Sequence, residues 1–213
     1  MSFKRCHCQI LLQLLVLAPL SLVQFFALAR LTGPTLIDLG VASLAAIRLP
    51  AFLVSIGLLL LVARDGLGLP RRPDRPALVW GMTGAVLVTT YLLVFWLRLW
   101  VPQMPATADI VVFIGTGLLA EEFWFRGMLF SLFTRITRSD SDHLSILFTS
   151  GLYALSHWQY HGFQFTPAAV IQLAYTLPLG LVLAMLRSQT LSVWPAVGLH
   201  LAVNLIVLAR LWI

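Results

Sequence analysis

Charge is the scarcest property of this sequence. Only 10% of its 213 residues are Asp, Glu, Lys or Arg, whereas 60% are hydrophobic. A soluble globular domain has about 25% charged residues, so that class is excluded. The apolar runs have lengths that suit membrane helices, and they lack the alternating segments of about 10 residues that build membrane barrels. We predict an all-α fold, a polytopic membrane helical bundle of about seven (six to eight) transmembrane helices in one integral-membrane domain over residues 1–213.

Cysteine is nearly absent, with only two residues, both in the N-terminal triplet Cys6-His7-Cys8. The triplet has too few neighbouring ligands for a metal site, and a disulfide across one residue would be strained. We therefore interpret both cysteines as incidental or acylated. The net charge of +6 comes from basic residues that lie between the apolar runs. Because such residues set membrane topology, we expect no nucleic-acid partner.

The basic residues predict how the chain crosses the membrane. Arginines are concentrated in the Pro- and Gly-containing loop 64–76, and Arg187 opens what we predict to be a tight inner turn over 187–190. With a cytoplasmic N-terminus, both segments and the connection at Arg135 and Arg138 fall on the inner side, as the positive-inside rule requires. Residues 10–29 are interpreted as a retained first helix rather than a cleaved signal sequence. We predict a multi-pass integral membrane protein, of the cell inner membrane in a bacterium.

The two glutamates of the sequence are adjacent and lie inside an apolar run. Glu121 and Glu122 occur with Arg126 between Ile110 and Phe133. Each charge at the membrane centre costs about 2.5–3.5 kcal/mol, so the cluster must be paired or solvated, and it is a candidate functional site. Adjacent helical residues point about 100° apart, whereas Glu122 and Arg126 are spaced as an i,i+4 ion pair. Glu121 is then available to another helix, unless all three form one structural ion network.

Two later apolar segments carry polar residues at helical spacing. Tyr153 and His157 share one helix face, as do His200 and Asn204 in the last segment. A carboxylate and a neutral histidine can bind and deprotonate water, while a histidine and an amide can donate to the oxyanion of an attacked carbonyl. Alternatively, His157 is interfacial, and His200 and Asn204 join helices through hydrogen bonds. Glu121, His157 and His200 would also be a plausible zinc ligand set.

Three motifs follow one another on separate apolar segments: Glu-Glu-x-x-x-Arg at 121–126, aromatic-x-x-x-His at 153–157 and His-x-x-x-Asn at 200–204. In this order they resemble the motifs of the CPBP family of intramembrane proteases, which includes the type II CAAX prenyl endopeptidases and bacterial Abi-type proteins. The motif-bearing core covers residues 109–212, and the chain before it matches only as generic membrane spans. One position departs from the family pattern, since Tyr153 replaces the usual Phe.

The resemblance implies antiparallel membrane helices around a conical, polar intramembrane cavity. It implies a glutamate-type protease without a cofactor, with zinc as the alternative. Glu121 and His157 would activate the attacking water. The oxyanion would be stabilised by His200 and Asn204, and the supporting residues would be Glu122 and Arg126.

The expected activity is hydrolysis of a peptide bond in a membrane-associated or lipid-anchored substrate, beside the lipid bilayer. Three other functions compete with it. The first is a catalytically idle membrane scaffold or immunity protein of the same fold, although the chain keeps the complete set of polar positions. The second is a processor of C-terminal sorting signals, which would need a nucleophile such as cysteine, whereas Cys6 and Cys8 are distant in the chain. The third is a small transporter with a protonatable glutamate.

Overall fold

The computed structural model describes residues 53, 57, 67–97, 117–137 and 142–210. The predicted first helix, the two N-terminal cysteines and the segment 98–116 lie outside the described residues. The total of about seven helices therefore stays a prediction.

All regular structure in the described segments is helical. The described residues form six α-helices, some of them extended by turns of other helical types. In chain order they are α1 (Pro76–Tyr91) with a π-helical extension (Leu92–Trp96), α2 (Leu118–Glu122), a π-helical stretch (Phe123–Leu129), α3 (Phe130–Thr137), α4 (His143–His157) with a 3₁₀ turn (Trp158–His161), α5 (Pro167–Thr190) and α6 (Trp194–Ala209).

Two of these helical segments are long and apolar enough to cross a membrane. They are Pro76–Trp96 and Pro167–Thr190, and α6 is apolar but shorter. Many large apolar side chains point outward, among them Trp80, Val88 and Trp96. A helix with apolar residues on its outer face suits a lipid environment. The predicted helical class is confirmed for the described residues, and these helices are consistent with the predicted membrane protein.

The long helix α5 lies at the centre of the described bundle and packs against α1, α4 and α6. Thr176, Gly180 and Ala184 are buried along it at intervals of four residues. Small residues on one face let membrane helices approach closely. At Gly180 an added Cβ would lie 3.1 Å from Tyr153 Cδ1 and 3.3 Å from Ser150 Cα. The approach of α4 to α5 therefore depends on the missing side chain at this position.

The predicted turn over 187–190 is wrong, because α5 continues to Thr190. The chain reverses at Leu191, which has a left-handed backbone with φ of 54°. The physical reason is the position of Arg187, which is buried and donates hydrogen bonds to groups of the neighbouring helix. Its polarity indicated a solvated loop, yet those acceptors allow it to stay inside the last turn of α5.

Three connections that were predicted to be cytoplasmic lie at the same end of the bundle. The arginine-rich loop contacts the α5–α6 turn through a bond from Arg71 N–H to the Thr190 carbonyl (2.9 Å). Ser192 Oγ also donates to the Gly68 carbonyl (2.7 Å). At the start of α4, Asp142 accepts from Ser188 Oγ at 2.6 Å. These contacts join the loop, the α5–α6 turn and the α3–α4 connection, whichever side of the membrane they occupy.

Candidate active site

The centre of the site is the carboxylate of Glu122, which is 0% exposed. Its Oε1 accepts a hydrogen bond from Arg126 Nη1 (3.1 Å) and another from His200 Nδ1 (2.7 Å). The i,i+4 ion pair predicted from the spacing is therefore present. The bond to His200 was not expected, and it connects the first motif with the third. The other oxygen, Oε2, is buried without a partner among the described residues.

Arg126 is also 0% exposed, and it links three elements. Besides Glu122, it approaches the Gly180 carbonyl of α5, with Nη2 at 3.4 Å from the oxygen. Its guanidinium carbon lies 4.1 Å from the centre of the Tyr153 ring in α4. A cation above an aromatic face is attracted by the negative face of the ring, most strongly where both are desolvated. The buried cation is thus balanced by a carboxylate, a carbonyl and a ring.

A π-helical stretch carries Arg126, and it changes the backbone bonding at the site. In a regular α-helix the N–H of Phe130 would bond to the Arg126 carbonyl, but here it bonds to the carbonyls of Phe125 and Gly127. The Arg126 carbonyl instead accepts from Arg187 Nε at 3.1 Å. Short π-helical segments recur at functional sites of proteins. Neither this segment nor the role of Arg187 was predicted, because hydropathy and residue spacing carry no clear signal for a π turn.

The second motif lies on α4 beside the first. Tyr153 is fully buried, and its ring meets the His157 ring edge-on, with the ring centres 4.6 Å apart. His157 Nδ1 lies 2.9 Å from the Tyr153 carbonyl oxygen. A carbonyl oxygen can only accept, so Nδ1 of His157 is the donor in this bond. A neutral imidazole held in this way carries its lone pair on Nε2.

The remaining two predicted site residues make fewer contacts. Glu121 is partly exposed and forms no hydrogen bond with the residues that the structure describes. Its charge acts on His157 and on Tyr153, so these three residues share one neighbourhood. Asn204, one turn beyond His200 on α6, is partly exposed and likewise has no hydrogen-bond partner within the described segments.

The zinc alternative requires three converging ligands. Within the described residues, no group of three His, Cys, Asp or Glu side chains is arranged to hold a metal ion. His200 and His157 each donate from Nδ1, to the Glu122 carboxylate and to the Tyr153 carbonyl, as zinc-bound histidines commonly do. What the set Glu121, His157 and His200 lacks within the described residues is an arrangement of its ligand atoms around one point, which tetrahedral zinc requires. The absence of a cofactor nevertheless stays a prediction.

Comparison with known proteins connects this geometry to a family. Residues 102–206, which contain all three motifs, match the family described as type II CAAX prenyl endopeptidase Rce1-like. No curated protein and no solved structure matches the chain. The match confirms the resemblance to CPBP proteases seen in the motifs. The motif-bearing part of the chain, just under half of its residues, is therefore similar to the Rce1-like type II CAAX prenyl endopeptidases, a family of proteases.

Proposed function

We propose that this protein is an intramembrane endopeptidase that hydrolyses a peptide bond of a membrane-associated or lipid-anchored protein. In this proposal Glu121 and His157 activate water, and His200 and Asn204 stabilise the oxyanion. Glu122 and Arg126 position the site without touching the substrate. The family name suggests a prenylated substrate ending in a CAAX sequence. A cofactor is not required by this chemistry.

One observation carries the proposal, namely the different surroundings of the two adjacent carboxylates. Glu122 is sealed from solvent and shares Oε1 between Arg126 and His200. Taking a proton from water would discharge this carboxylate and leave the buried charge of Arg126 uncompensated, although Oε2 has no partner among the described residues. Glu121 is partly exposed and has no hydrogen bond to a described residue, so it is the carboxylate that suits a general base.

The two histidines suit different roles because their Nδ1 atoms have different acceptors. His157 donates from Nδ1 to a neutral carbonyl, which leaves a lone pair on Nε2 that can take a proton from water. His200 directs Nδ1 at the carboxylate of Glu122, which can only accept, so this nitrogen keeps its proton. When doubly protonated, His200 can donate from Nε2 to the oxyanion while Nδ1 stays on Glu122. The arrangement supports His157 as a proton acceptor and His200 as a donor.

Reconstitution of the purified protein in phospholipid vesicles tests the proposal. The probes are an internally quenched peptide ending in a farnesylated CAAX sequence and the same peptide without the farnesyl group. We expect the wild-type protein to release the C-terminal tripeptide. In H₂¹⁸O, one ¹⁸O atom should enter the new carboxyl group, since water attacks directly. A thioester or transpeptidation product would instead favour the processing of sorting signals.

The Glu121→Gln variant is the decisive comparison. A general base contributes about 10²–10⁴-fold to the rate. We therefore expect the rate of cleavage to fall by at least about 10²-fold, while the protein remains folded in the membrane. Normal cleavage by Glu121→Gln would overturn the mechanism. If the wild type cleaves neither probe, the idle-scaffold alternative gains support. If a strong chelator abolishes wild-type cleavage and zinc restores it, the metal-free chemistry is wrong.

We also propose that the chain crosses the membrane several times with its N-terminus in the cytoplasm. The support is that three basic or polar connections predicted to be cytoplasmic contact one another at one end of the bundle. A single cysteine in place of exposed Arg72, in a variant without Cys6 and Cys8, tests the orientation. An impermeant maleimide should label it only after the cells are permeabilised. Labelling in intact cells would reverse the proposed topology.

A further inference from the structure

The hydroxyl group of Tyr153 faces the nitrogen that the proposed mechanism needs. Tyr153 Oη lies 3.4 Å from His200 Nε2, and both residues are buried. The other nitrogen of His200 is occupied by Glu122, so Nε2 is the atom that faces the substrate in the proposal above. The phenol oxygen is therefore the nearest described polar group to the oxyanion donor of the third motif. In the family pattern this position is usually Phe, which has no such group.

The ring of Tyr153 is held in place on several sides. Arg126 lies over its face, Phe125 and His157 contact it edge-on, and Gly180 leaves room for its Cδ1 edge. A ring fixed by so many neighbours presents its hydroxyl group in one direction. Ring packing therefore orients the hydroxyl group without help from the hydrogen bond to His200. A donor that already has its orientation before the reaction is preorganised, which favours catalysis.

We propose that Tyr153 is a further catalytic residue, whose hydroxyl group donates a hydrogen bond to the oxyanion beside His200. This inference rests on the proposed protease function. Two donors that are each about 2.9 Å from one oxygen can lie 3.4 Å apart, so both can bind the same oxyanion. Before substrate binds, the hydroxyl group and Nε2 bond with each other. When substrate binds, its carbonyl oxygen accepts a hydrogen bond from each of these two groups, and their bond to each other is lost. Substrate binding therefore changes only hydrogen bonds.

The Tyr153→Phe variant removes only the hydroxyl group and keeps the ring contacts. On the farnesylated peptide we expect kcat to fall by about 10- to 100-fold with little change in KM, because the bond is strongest in the transition state. The matched control is Tyr175→Phe. Its hydroxyl group is also partly buried and bonded, to Thr90 Oγ1 at 2.6 Å, but lies between α5 and α1. We expect this control to cleave at the wild-type rate.

A purely structural role for the hydroxyl group predicts a different outcome. It would lower the midpoint of thermal unfolding in Tyr153→Phe to the same extent as in Tyr175→Phe, and leave kcat unchanged. Wild-type kcat in Tyr153→Phe would overturn the inference, whereas the proposed protease function would stand if Glu121→Gln were still inactive. Loss of kcat in both tyrosine variants would also overturn it, because the effect would not be local.

A spectroscopic measurement tests the contact without any substrate. In protein labelled with ¹⁵N-histidine, the His200 signals are identified by their absence in His200→Gln. We expect Tyr153→Phe to shift the Nε2 resonance of His200, since it loses its hydrogen-bond partner, and Tyr175→Phe to leave that resonance in place. An unchanged Nε2 resonance in Tyr153→Phe would overturn the inference even if the wild type cleaved neither peptide.

Discussion

The site consists of two halves that differ in how their residues are held. The braced half contains Glu122, Arg126 and Nδ1 of His200, which are buried and bonded to one another. The open half contains Glu121 and Asn204, which are partly exposed and have no hydrogen bond to a described residue. The two glutamates are neighbours in sequence, so residue type alone does not decide their roles. Their surroundings do, as in other enzymes that use two carboxylates differently.

The comparison teaches where stability and chemistry reside in this part of the molecule. In the braced half Arg126 and His200 share Oε1 of Glu122, so these contacts fix distances and orientations. In the open half the side chains have no hydrogen bond to a described residue, so under the proposed mechanism they serve water and substrate. Removing a group from the braced half should therefore lower stability first, whereas removing one from the open half should lower activity alone.

The largest expected effect is that of Glu122→Gln, which breaks the braced half. Loss of one partner leaves the Arg126 charge buried and uncompensated, which costs about 3–5 kcal/mol for buried pairs. We expect the midpoint of thermal unfolding in detergent to be strongly lowered. Tryptophan fluorescence recorded during heating measures this midpoint. The control Glu121→Gln, one residue away, should change the unfolding free energy by no more than about 0.5 kcal/mol. Equal stability of the two variants would remove the distinction between the halves.

Asn204→Ala acts on the open half and should show the opposite behaviour. Loss of one side-chain donor to an oxyanion costs about 10²–10³-fold in kcat, or about 2.7–4 kcal/mol of activation free energy. Because Asn204 has no hydrogen bond within the described segments, we expect an unchanged unfolding midpoint. Steady-state cleavage of the farnesylated peptide, measured beside thermal unfolding, separates the two quantities. A less stable but fully active variant would place Asn204 among the structural residues.

Gly180→Ala gives the smallest expected effect and tests the support behind the braced half. The added methyl group would lie 3.1 Å from Tyr153 Cδ1 and 3.3 Å from Ser150 Cα, and overpacking of this kind costs about 1–3 kcal/mol. The matched control is Gly151→Ala, where an added Cβ has nothing within 4 Å. Alanine should stabilise that helix by up to about 1 kcal/mol. Unfolding midpoints that move in the same direction would show that close packing at Gly180 is unimportant.

Much of this architecture follows from local sequence signals. The scarcity of charge predicts the helical membrane class. The pair formed by Glu122 and Arg126 follows from spacing alone, since both residues belong to one helix. Predictions of this kind succeed because they involve residues that are close in the chain.

The remaining features depend on contacts between distant segments. The bond from His200 to Glu122 requires that particular faces of α6 and α2 meet, and helical periodicity does not determine that rotation. Arg187 was assigned to a turn because a charge is costly inside a membrane. The acceptor that allows its burial is a carbonyl displaced by the π-helical stretch, and this displacement has no sequence signature.

The bond between Glu122 and His200 also has a consequence for how the protein is made. The two residues are 78 positions apart, so α2 is synthesised well before α6. Glu122 and Arg126 neutralise each other on neighbouring turns, which lets their helix reside in the bilayer before its later partner exists. Under the proposed mechanism, both His200 and Asn204 arrive with α6. A nascent chain then carries the water-activating groups without two of its proposed oxyanion donors, and full proteolytic activity is expected only after α6 has docked.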